Sequence, residues 1–80
     1  MALEIEIYGK KPCPFCDRAK QLLDKEGHEY TYKLLGKDFN REQMMEKFPT
    51  ARTFPQIVID NENIGGYDNL CEYLDLRTYN

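Results

Sequence analysis

Residues 10–23 read KKPCPFCDRAKQLL, and this stretch decides the fold because it fixes where a helix begins. Two residues separate Cys13 from Cys16, and the first of them is Pro14. Proline suits the first helical position, because its fixed φ matches the helix and its missing N–H would lack a partner there anyway. Apolar side chains then recur three and four residues apart, at Phe15, Ala19, Leu22 and Leu23. We therefore predict a helix that begins at the cysteines and ends near Gly27.

The residues on either side of this helix have the pattern of β-strands. Residues 3–7 alternate apolar side chains with glutamates, so one face of a strand is expected to be buried and the other wetter, with Tyr8 and Gly9 closing the strand. Residues 28–35 carry aromatic and apolar side chains at a largely two-residue spacing, which predicts a second strand. Strand, helix and strand in this order form a βαβ unit, whose two strands are expected to be parallel.

A second helix is predicted after residue 40. Asn40 and Gln43 have the spacing of a capping box, and Pro49 disfavours helical geometry at the residue before it, so the helix is expected to end there. Three side chains are expected to form its apolar face: Met44, Met45 and Phe48.

The last third of the chain predicts a hairpin and a third helix. Residues 56–59 include a short apolar run, and the turn-forming residues 60–63 lead from it to Ile64. A helical stretch is expected after the glycine pair at 65–66, with one apolar face formed by Leu70, Tyr73 and Leu74.

Length, charge and composition limit the classes of function. A chain of 80 residues predicts a single domain over residues 1–80, which buries roughly 60% of its unfolded surface. The 11 basic residues, against 14 acidic ones, form no run that could follow a phosphate backbone, so nucleic-acid binding is not expected. We expect no membrane segment and no export signal, since the first residues are interrupted by glutamates. A cytoplasmic location follows as an expectation.

The predicted helix start makes Cys13 a reactive thiol. At the position just before the helix, free backbone N–H groups and the positive end of the helix dipole favour thiolate over thiol, and Lys10 and Lys11 add positive charge nearby. Cys16 lies about one helical turn further on, close enough to attack a mixed disulfide held on Cys13. Its sulfur is expected to be more shielded, which would make Cys16 the resolving thiol.

The cysteine pair also fits two other interpretations, a metal site and a structural disulfide. The spacing C-x-x-C is also half of a zinc or iron site, but a closed site needs two further ligands, and Cys71 and His28 show no paired spacing. A structural disulfide is disfavoured in a chain without an export signal. The odd count of three cysteines also argues against a disulfide scaffold.

Three motifs, in order, resemble the glutaredoxin family over nearly the whole chain. "CPFC" is similar to the family's C-P-Y-C dithiol, "RTFPQIVID" resembles its T-V-P segment and the following strand, and "GGYDNL" resembles its G-G-x-D-D-L. The resemblance implies an α/β protein with the thioredoxin fold in its minimal form. That fold is a four-stranded mixed sheet flanked by three helices in the order βαβαββα, which agrees with the elements predicted above.

The resemblance also implies the activity. A glutathione-dependent thiol–disulfide oxidoreductase would use Cys13 as nucleophile and Cys16 as resolving thiol, with glutathione as co-substrate and no permanently bound cofactor or metal. The partners would be glutathione and disulfide-containing or glutathionylated proteins, and the working form a monomer. Ribonucleotide reductase is a common client of the family, although the sequence singles out no docking surface for it.

A groove for glutathione beside Cys13 is a further implication of the resemblance. Its expected lining residues are Lys10, Phe15, Thr53, Phe54, Pro55, Gly66, Tyr67 and Asp68. A cis peptide before Pro55 would turn the backbone of Phe54 toward Cys13. Asp68 would bind the amino group of glutathione, with the N–H groups of Tyr67 and Asp68 binding its γ-glutamyl carboxylate. The alternative interpretation of Asp68 is that its side chain caps the third helix.

Some residues depart from the family pattern or have a second interpretation. Phe15 replaces a tyrosine and loses a hydroxyl, and Tyr67 stands where a small residue or cysteine is frequent, which would narrow the groove. Arg41 and Arg52 are candidates for the glycine carboxylate of glutathione, or simply solvated. Cys71 is predicted to be a small, half-buried apolar residue of the last helix, and the alternative is that it undergoes regulatory oxidation.

Two rival functions share the same residues. A thioredoxin-like protein reduced by a flavoprotein would need neither Lys10 nor Asp68. An iron–sulfur carrier, in which two chains share a cluster through Cys13 and glutathione, is disfavoured by Pro14 and by a competent Cys16.

Overall fold

The computed structural model describes residues 3–51 and 53–79, with the side chains of 75–79 outside the description. Its elements are β1 (Ile5–Gly9), α1 (Pro14–Lys25), β2 (Thr31–Leu34), α2 (Arg41–Lys47), β3 (Gln56–Ile59), β4 (Glu62–Gly65) and α3 (Tyr67–Tyr79). The predicted order βαβαββα is thereby confirmed. Within the described part of the chain, every helix lacks the combination of length and apolarity that a membrane span requires.

The four strands form one mixed sheet in the order β2-β1-β3-β4. β1 is parallel to β2, with Ile7 opposite Tyr32, and antiparallel to β3, with Ile7 opposite Ile57. β3 and β4 form an antiparallel hairpin. The parallel βαβ unit and the later hairpin both agree with the sequence prediction.

Apolar clusters cover both faces of this sheet. The larger cluster joins alternate residues of β1 and β3 to α1 and α3, through Ile5, Ile7, Ala19, Leu23, Ile57, Ile59, Leu70 and Leu74. The smaller cluster lies on the α2 side and consists of Tyr8, Phe39, Phe48 and Val58. On the second face of the predicted first strand, Glu4 is exposed and Glu6 is half-buried, which agrees with the predicted wetter face. The same face is buried at Tyr8, because the rings of Phe39 and Phe48 pack edge-on against the Tyr8 ring with centre distances of 5.3 and 5.0 Å.

The first two strands differ from their predicted bounds. β1 begins at Ile5 rather than at residue 3, and it ends with Tyr8 and Gly9 as predicted. β2 is shorter than residues 28–35. His28 belongs to the capping turn that follows α1 rather than to β2, because its N–H donates to the Leu23 carbonyl at 2.9 Å. Gly27 has the left-handed conformation, φ 76°, that commonly follows the end of a helix.

The predicted capping box of α2 is confirmed. Asn40 Oδ1 accepts from the Gln43 N–H, and Gln43 Oε1 accepts from the Asn40 N–H, each at 2.8 Å. The expected apolar face was wrong at Met45, which is 69% exposed. Successive residues of a helix point about 100° apart. Met44 therefore packs against the smaller cluster while its neighbour faces away.

The turn between β3 and β4 is shorter than the predicted turn over residues 60–63. Asp60 and Asn61 have φ values of 52° and 68°, and Glu62 already begins β4. Two central residues with positive φ suit the right-handed twist of the flanking strands, and Asn and Asp tolerate this conformation better than other side chains. The hairpin therefore needs a loop of two residues.

We predict that Phe48→Ala lowers the free energy of unfolding by about 3–5 kcal/mol, because it removes a buried ring from the smaller cluster. Met45→Ala, at an exposed position of the adjoining helix, is the matched control and should change that free energy by less than about 0.5 kcal/mol. Urea denaturation measures both values. Equal losses in the two variants would contradict the assignment of the α2 face.

Candidate active site

Cys13 lies at the N-terminal cap of α1, as the sequence predicted. Its backbone is extended, with φ −153° and ψ 97°, and Pro14 follows at the first helical position. The Cys16 N–H donates to Cys13 Sγ at 3.1 Å, and the Asp17 N–H donates to the Cys13 carbonyl at 3.2 Å. The sulfur thus takes the place of the side-chain oxygen that usually caps a helix.

The two cysteines form a disulfide, with their Cα atoms 5.2 Å apart. Cys16 is 0% exposed and Cys13 is 8% exposed. This difference agrees with the expected shielding of Cys16. It gives an incoming molecule access to the pair from the side of Cys13.

The segment that precedes β3 has the predicted cis peptide between Phe54 and Pro55. A second cis peptide, between Lys11 and Pro12, was not predicted. Pro55 is fully buried, and the exposed Thr53 is tied to the next strand because Gln56 Nε2 donates to its carbonyl at 2.8 Å.

Sequence reasoning missed Gln56 as a residue that holds the segment at 53–55. Its side chain is buried, and it is the polar member of an otherwise apolar strand. A polar residue in a short apolar run was the available signal, because buried polar side chains need hydrogen-bond partners.

The beginning of α3 lies against this segment. A Cβ atom built on Gly66 would stand 3.4 Å from the Pro55 carbonyl oxygen, so the two backbones are close there. The predicted residues 53–55 and 66–68 are therefore brought to one region of the molecule.

Asp68 lies in the first turn of α3 and is exposed. The alternative prediction, that Asp68 caps the helix, was wrong because the helix already begins at Tyr67. Asn69 Oδ1 instead accepts from the Gly66 N–H at 3.2 Å. The Asp68 carboxylate still stands at the positive end of the helix dipole, where an acidic group is favoured.

One aromatic pair and two cation–π contacts involve residues close to the cysteines in sequence. The Lys10 ammonium lies 5.5 Å from the centre of the Phe54 ring. Phe15, which is 50% exposed, has its ring centre 6.1 Å from that of Tyr67. The Arg18 guanidinium lies 5.2 Å from the Phe15 ring, a contact that sequence reasoning missed although Arg18 follows Phe15 by three residues.

Tyr67 also interacts with Cys71 one helical turn later. A side-chain hydrogen bond to Cys71 is the main cause that raises the pKa of the Tyr67 phenol above its usual value. Cys71 is a free, half-buried thiol.

The remaining candidates lie elsewhere or outside the description. Arg41 is exposed at the start of α2, and Arg52 lies outside the described residues. His28 lines an open groove of about 970 Å³ at the beginning of β1, whereas Cys13 follows the end of that strand. Across residues 3–51 and the described part of 53–79, no three His, Cys, Asp or Glu side chains are grouped in a way that could hold a metal ion.

The comparisons with known proteins point to one family. The sequence profile of the glutaredoxin family matches residues 5–64. Glutaredoxin 3 of Escherichia coli is 42% identical over 74 residues, covering 91% of this chain and 87% of that protein. A probable glutaredoxin of Synechocystis sp. is 43% identical over 68 residues, and the matched part spans 62% of that relative's length.

A solved structure agrees with the sequence comparisons. The crystal structure of glutaredoxin 1 from Francisella tularensis, complexed with cacodylate, has a TM-score of 0.82 at 26% identity, covering 99% of this chain and 100% of that one. The profile match extends over three quarters of the chain and includes both members of the cysteine pair. The chain therefore belongs to the glutaredoxin family, and its Cys13–Cys16 pair supports thiol–disulfide oxidoreductase activity.

Proposed function

We propose that the protein reduces protein disulfides and glutathione mixed disulfides with glutathione as the electron donor. The observation that carries this proposal is the place of Cys13 Sγ at the start of α1, where it accepts the Cys16 N–H. The proposal includes a cytoplasmic location, where glutathione keeps thiols reduced, and a monomer as the working form.

Two interactions favour the Cys13 thiolate once the disulfide is reduced. A hydrogen bond to a charged acceptor contributes about 1.5–3 kcal/mol, and the helix dipole about 0.3–1 kcal/mol. Since one pKa unit corresponds to about 1.4 kcal/mol, the hydrogen bond is the larger effect and the dipole alone would be insufficient. The thiolate, rather than the thiol, is the attacking species in disulfide exchange.

The first half of the reaction oxidises the pair. The Cys13 thiolate attacks one sulfur of a client disulfide, and the other client sulfur leaves as a thiolate that takes up a proton. The Cys16 thiol then loses its proton and attacks Cys13 Sγ, which releases the second client thiol. The client gains two electrons and two protons, and the enzyme retains the Cys13–Cys16 disulfide that the structure contains.

The second half restores the dithiol. One glutathione thiolate attacks Cys13 Sγ, which frees Cys16 and leaves glutathione bound to Cys13. A second glutathione attacks the glutathione sulfur of this mixed disulfide, and oxidised glutathione leaves. A glutathionylated client needs only Cys13, because its glutathione passes directly to that sulfur and is removed by the same second step.

The groove between residues 53–55 and 66–68 is the proposed site for glutathione. The exposed Asp68 carboxylate complements the amino group of glutathione, and the first N–H groups of α3 lack helical partners and suit its γ-glutamyl carboxylate. Lys10, beside Phe54, has the charge to bind the glycine carboxylate. Thr53, Phe54 and Pro55 supply backbone and ring surface, and the close approach of Gly66 to Pro55 supports a common groove.

The cysteine roles predict different losses in two variants. Cys16→Ser should retain removal of glutathione from a glutathionylated peptide while losing reduction of protein disulfides, because only the latter needs a resolving thiol. Cys13→Ser should lose both activities. Turnover of a glutathionylated small disulfide, coupled to glutathione reductase, measures the first activity, and insulin reduction measures the second.

The electron donor is tested in the same assays. Retained turnover in Cys13→Ser would refute the assignment of the nucleophile. Reduction of the wild-type pair by a flavoprotein thioredoxin reductase, with no turnover by glutathione, would refute glutathione dependence.

Lys10→Ala should raise the pKa of the Cys13 thiol, because it removes an exposed positive charge three residues before the thiolate. The rate of alkylation by iodoacetamide as a function of pH gives this pKa in the reduced protein. Lys25→Ala, in the last turn of the same helix, makes the same charge change and should leave the profile unchanged. Identical profiles for Lys10→Ala and wild type would remove Lys10 from the explanation.

Asp68→Asn should raise the KM for glutathione about 3–10-fold with little change in kcat, because it removes one exposed charge interaction with the substrate and touches no reacting atom. Glu72→Gln, an exposed acidic position one turn later on α3, is the matched control. Steady-state kinetics at low ionic strength measure both variants. An equal KM in the two would contradict the role of Asp68.

A further inference from the structure

An exposed aromatic ring and an arginine lie next to each other on the first turns of α1. Phe15 is 50% exposed, although it follows Cys13 by only two residues. The exposed Arg18 has its guanidinium 5.2 Å from the centre of the Phe15 ring. We call these two side chains the Phe15–Arg18 face. Neither side chain belongs to the two apolar clusters of the core, so this face is accessible to another molecule.

The Arg18 guanidinium is held in place but keeps its hydrogen-bond donors unused. Within the described part of the chain, Arg18 forms no ion pair, because its neighbour Asp17 lies 3.5 Å from the Lys20 ammonium instead. The attraction between a guanidinium and an aromatic face limits the directions in which Arg18 points. The planar fork of N–H donors suits a carboxylate, which it binds through two parallel hydrogen bonds. The chemistry of the face therefore favours a carboxylate as its ligand.

The side chains just before Cys13 add positive charge. Lys10 and Lys11 are both exposed, and among the described residues neither has an ion-pair partner. The acidic group on the α3 side is Asp68, to which the amino group of glutathione is assigned above. The chain as a whole has a formal net charge of −3, so this basic region differs in sign from the protein that carries it. Complementary charge favours a partner that is acidic close to its disulfide.

The position of Arg18 along α1 sets how far the carboxylate lies from the reacting sulfur. Arg18 follows Cys13 by five residues, which is about 7.5 Å along the helix axis. An extended polypeptide covers this distance in about two residues. When the cysteine of an extended client meets Cys13, a side chain two residues away therefore lies beside the Phe15–Arg18 face. Aromatic residues and arginine are also enriched at protein interfaces.

We propose that the Phe15–Arg18 face docks protein clients through a carboxylate two residues from the client's reacting cysteine. Arg18 binds this carboxylate, and the Phe15 ring packs against the client chain beside it. This inference rests on the proposed function and deepens it, because it names a feature of the protein clients. The face acts when the client disulfide is attacked, whereas the groove at 53–55 and 66–68 serves glutathione.

Two peptide disulfides test the proposal without glutathione. Each is a symmetrical dimer of one cysteine-containing peptide, with glutamate two residues before and after the cysteine in the first and glutamine there in the second. The pre-reduced protein converts each disulfide to two peptide thiols and ends as the Cys13–Cys16 disulfide. Rapid mixing, acid quenching and chromatography give the second-order rate constants. The rate constant for the glutamate peptide divided by that for the glutamine peptide is compared between variants, since this ratio cancels effects on the cysteines themselves.

Arg18→Gln should lower this ratio about 2–5-fold relative to wild type, which is the range for one exposed charge pair. Lys25→Gln, at an exposed position in the last turn of α1, makes the same charge change far from Cys13 and should leave the ratio unchanged. Phe15→Leu should lower the ratio as well, because Arg18 loses the ring that orients it. High salt should reduce the difference between wild type and Arg18→Gln, because exposed charges are screened.

The outcomes separate this inference from the proposed function. A ratio that is equal in wild type and Arg18→Gln, or that falls equally in Lys25→Gln, overturns the docking role alone. An unchanged ratio together with a higher KM for glutathione in Arg18→Gln overturns it too, and assigns Arg18 to the glutathione groove. A wild type that reduces neither peptide overturns the proposed reduction of protein disulfides, and the docking role with it.

Discussion

The hydrogen bond from the Cys16 amide to Cys13 Sγ depends on a helix whose first turn is held in place by the core. Ala19 and Leu23, further along α1, are both fully buried against the sheet, which fixes the direction of the helix and therefore of its free N–H groups. A cysteine at the cap of a frayed helix would lose this donor. The burial of side chains six and ten residues after Cys13 therefore contributes to the reactivity of its sulfur.

The same core brings the other groups to that sulfur. Leu70 and Leu74 anchor α3 in the larger cluster, so its first turn is held close to Pro55. The smaller cluster holds Phe54 and Ala51 at its margin, next to the segment that Gln56 ties down. Residues from three separate parts of the sequence are in this way gathered around one helix start.

The features that the sequence predicted are those that depend on neighbours along the chain. The cap at Cys13, the capping box at Asn40 and the element order all follow from spacings of one to four residues.

The features that the sequence did not predict depend on partners that are distant along the chain. Tyr8 is buried because Phe39 and Phe48 pack on it, and Gln56 is buried because the Thr53 carbonyl accepts its amide. The prediction that Met45 is buried was wrong, because an apolar composition does not show which side of a helix faces the core. The orientation of α2 is decided by its packing against the smaller cluster. For the candidate site, motifs pointed to the cysteine pair, whereas the ring contact of Tyr67 with Phe15 required the fold.

The outer strands of the sheet, β2 and β4, are four residues long. Each therefore offers few unpaired main-chain groups to an approaching polypeptide, and β2 also carries Lys33, whose ammonium is ion-paired with Glu6 at 3.0 Å. Short edge strands that carry charged side chains disfavour pairing with a strand from another polypeptide. A thiol–disulfide oxidoreductase with such edges exposes little main chain onto which another polypeptide could add and begin to aggregate.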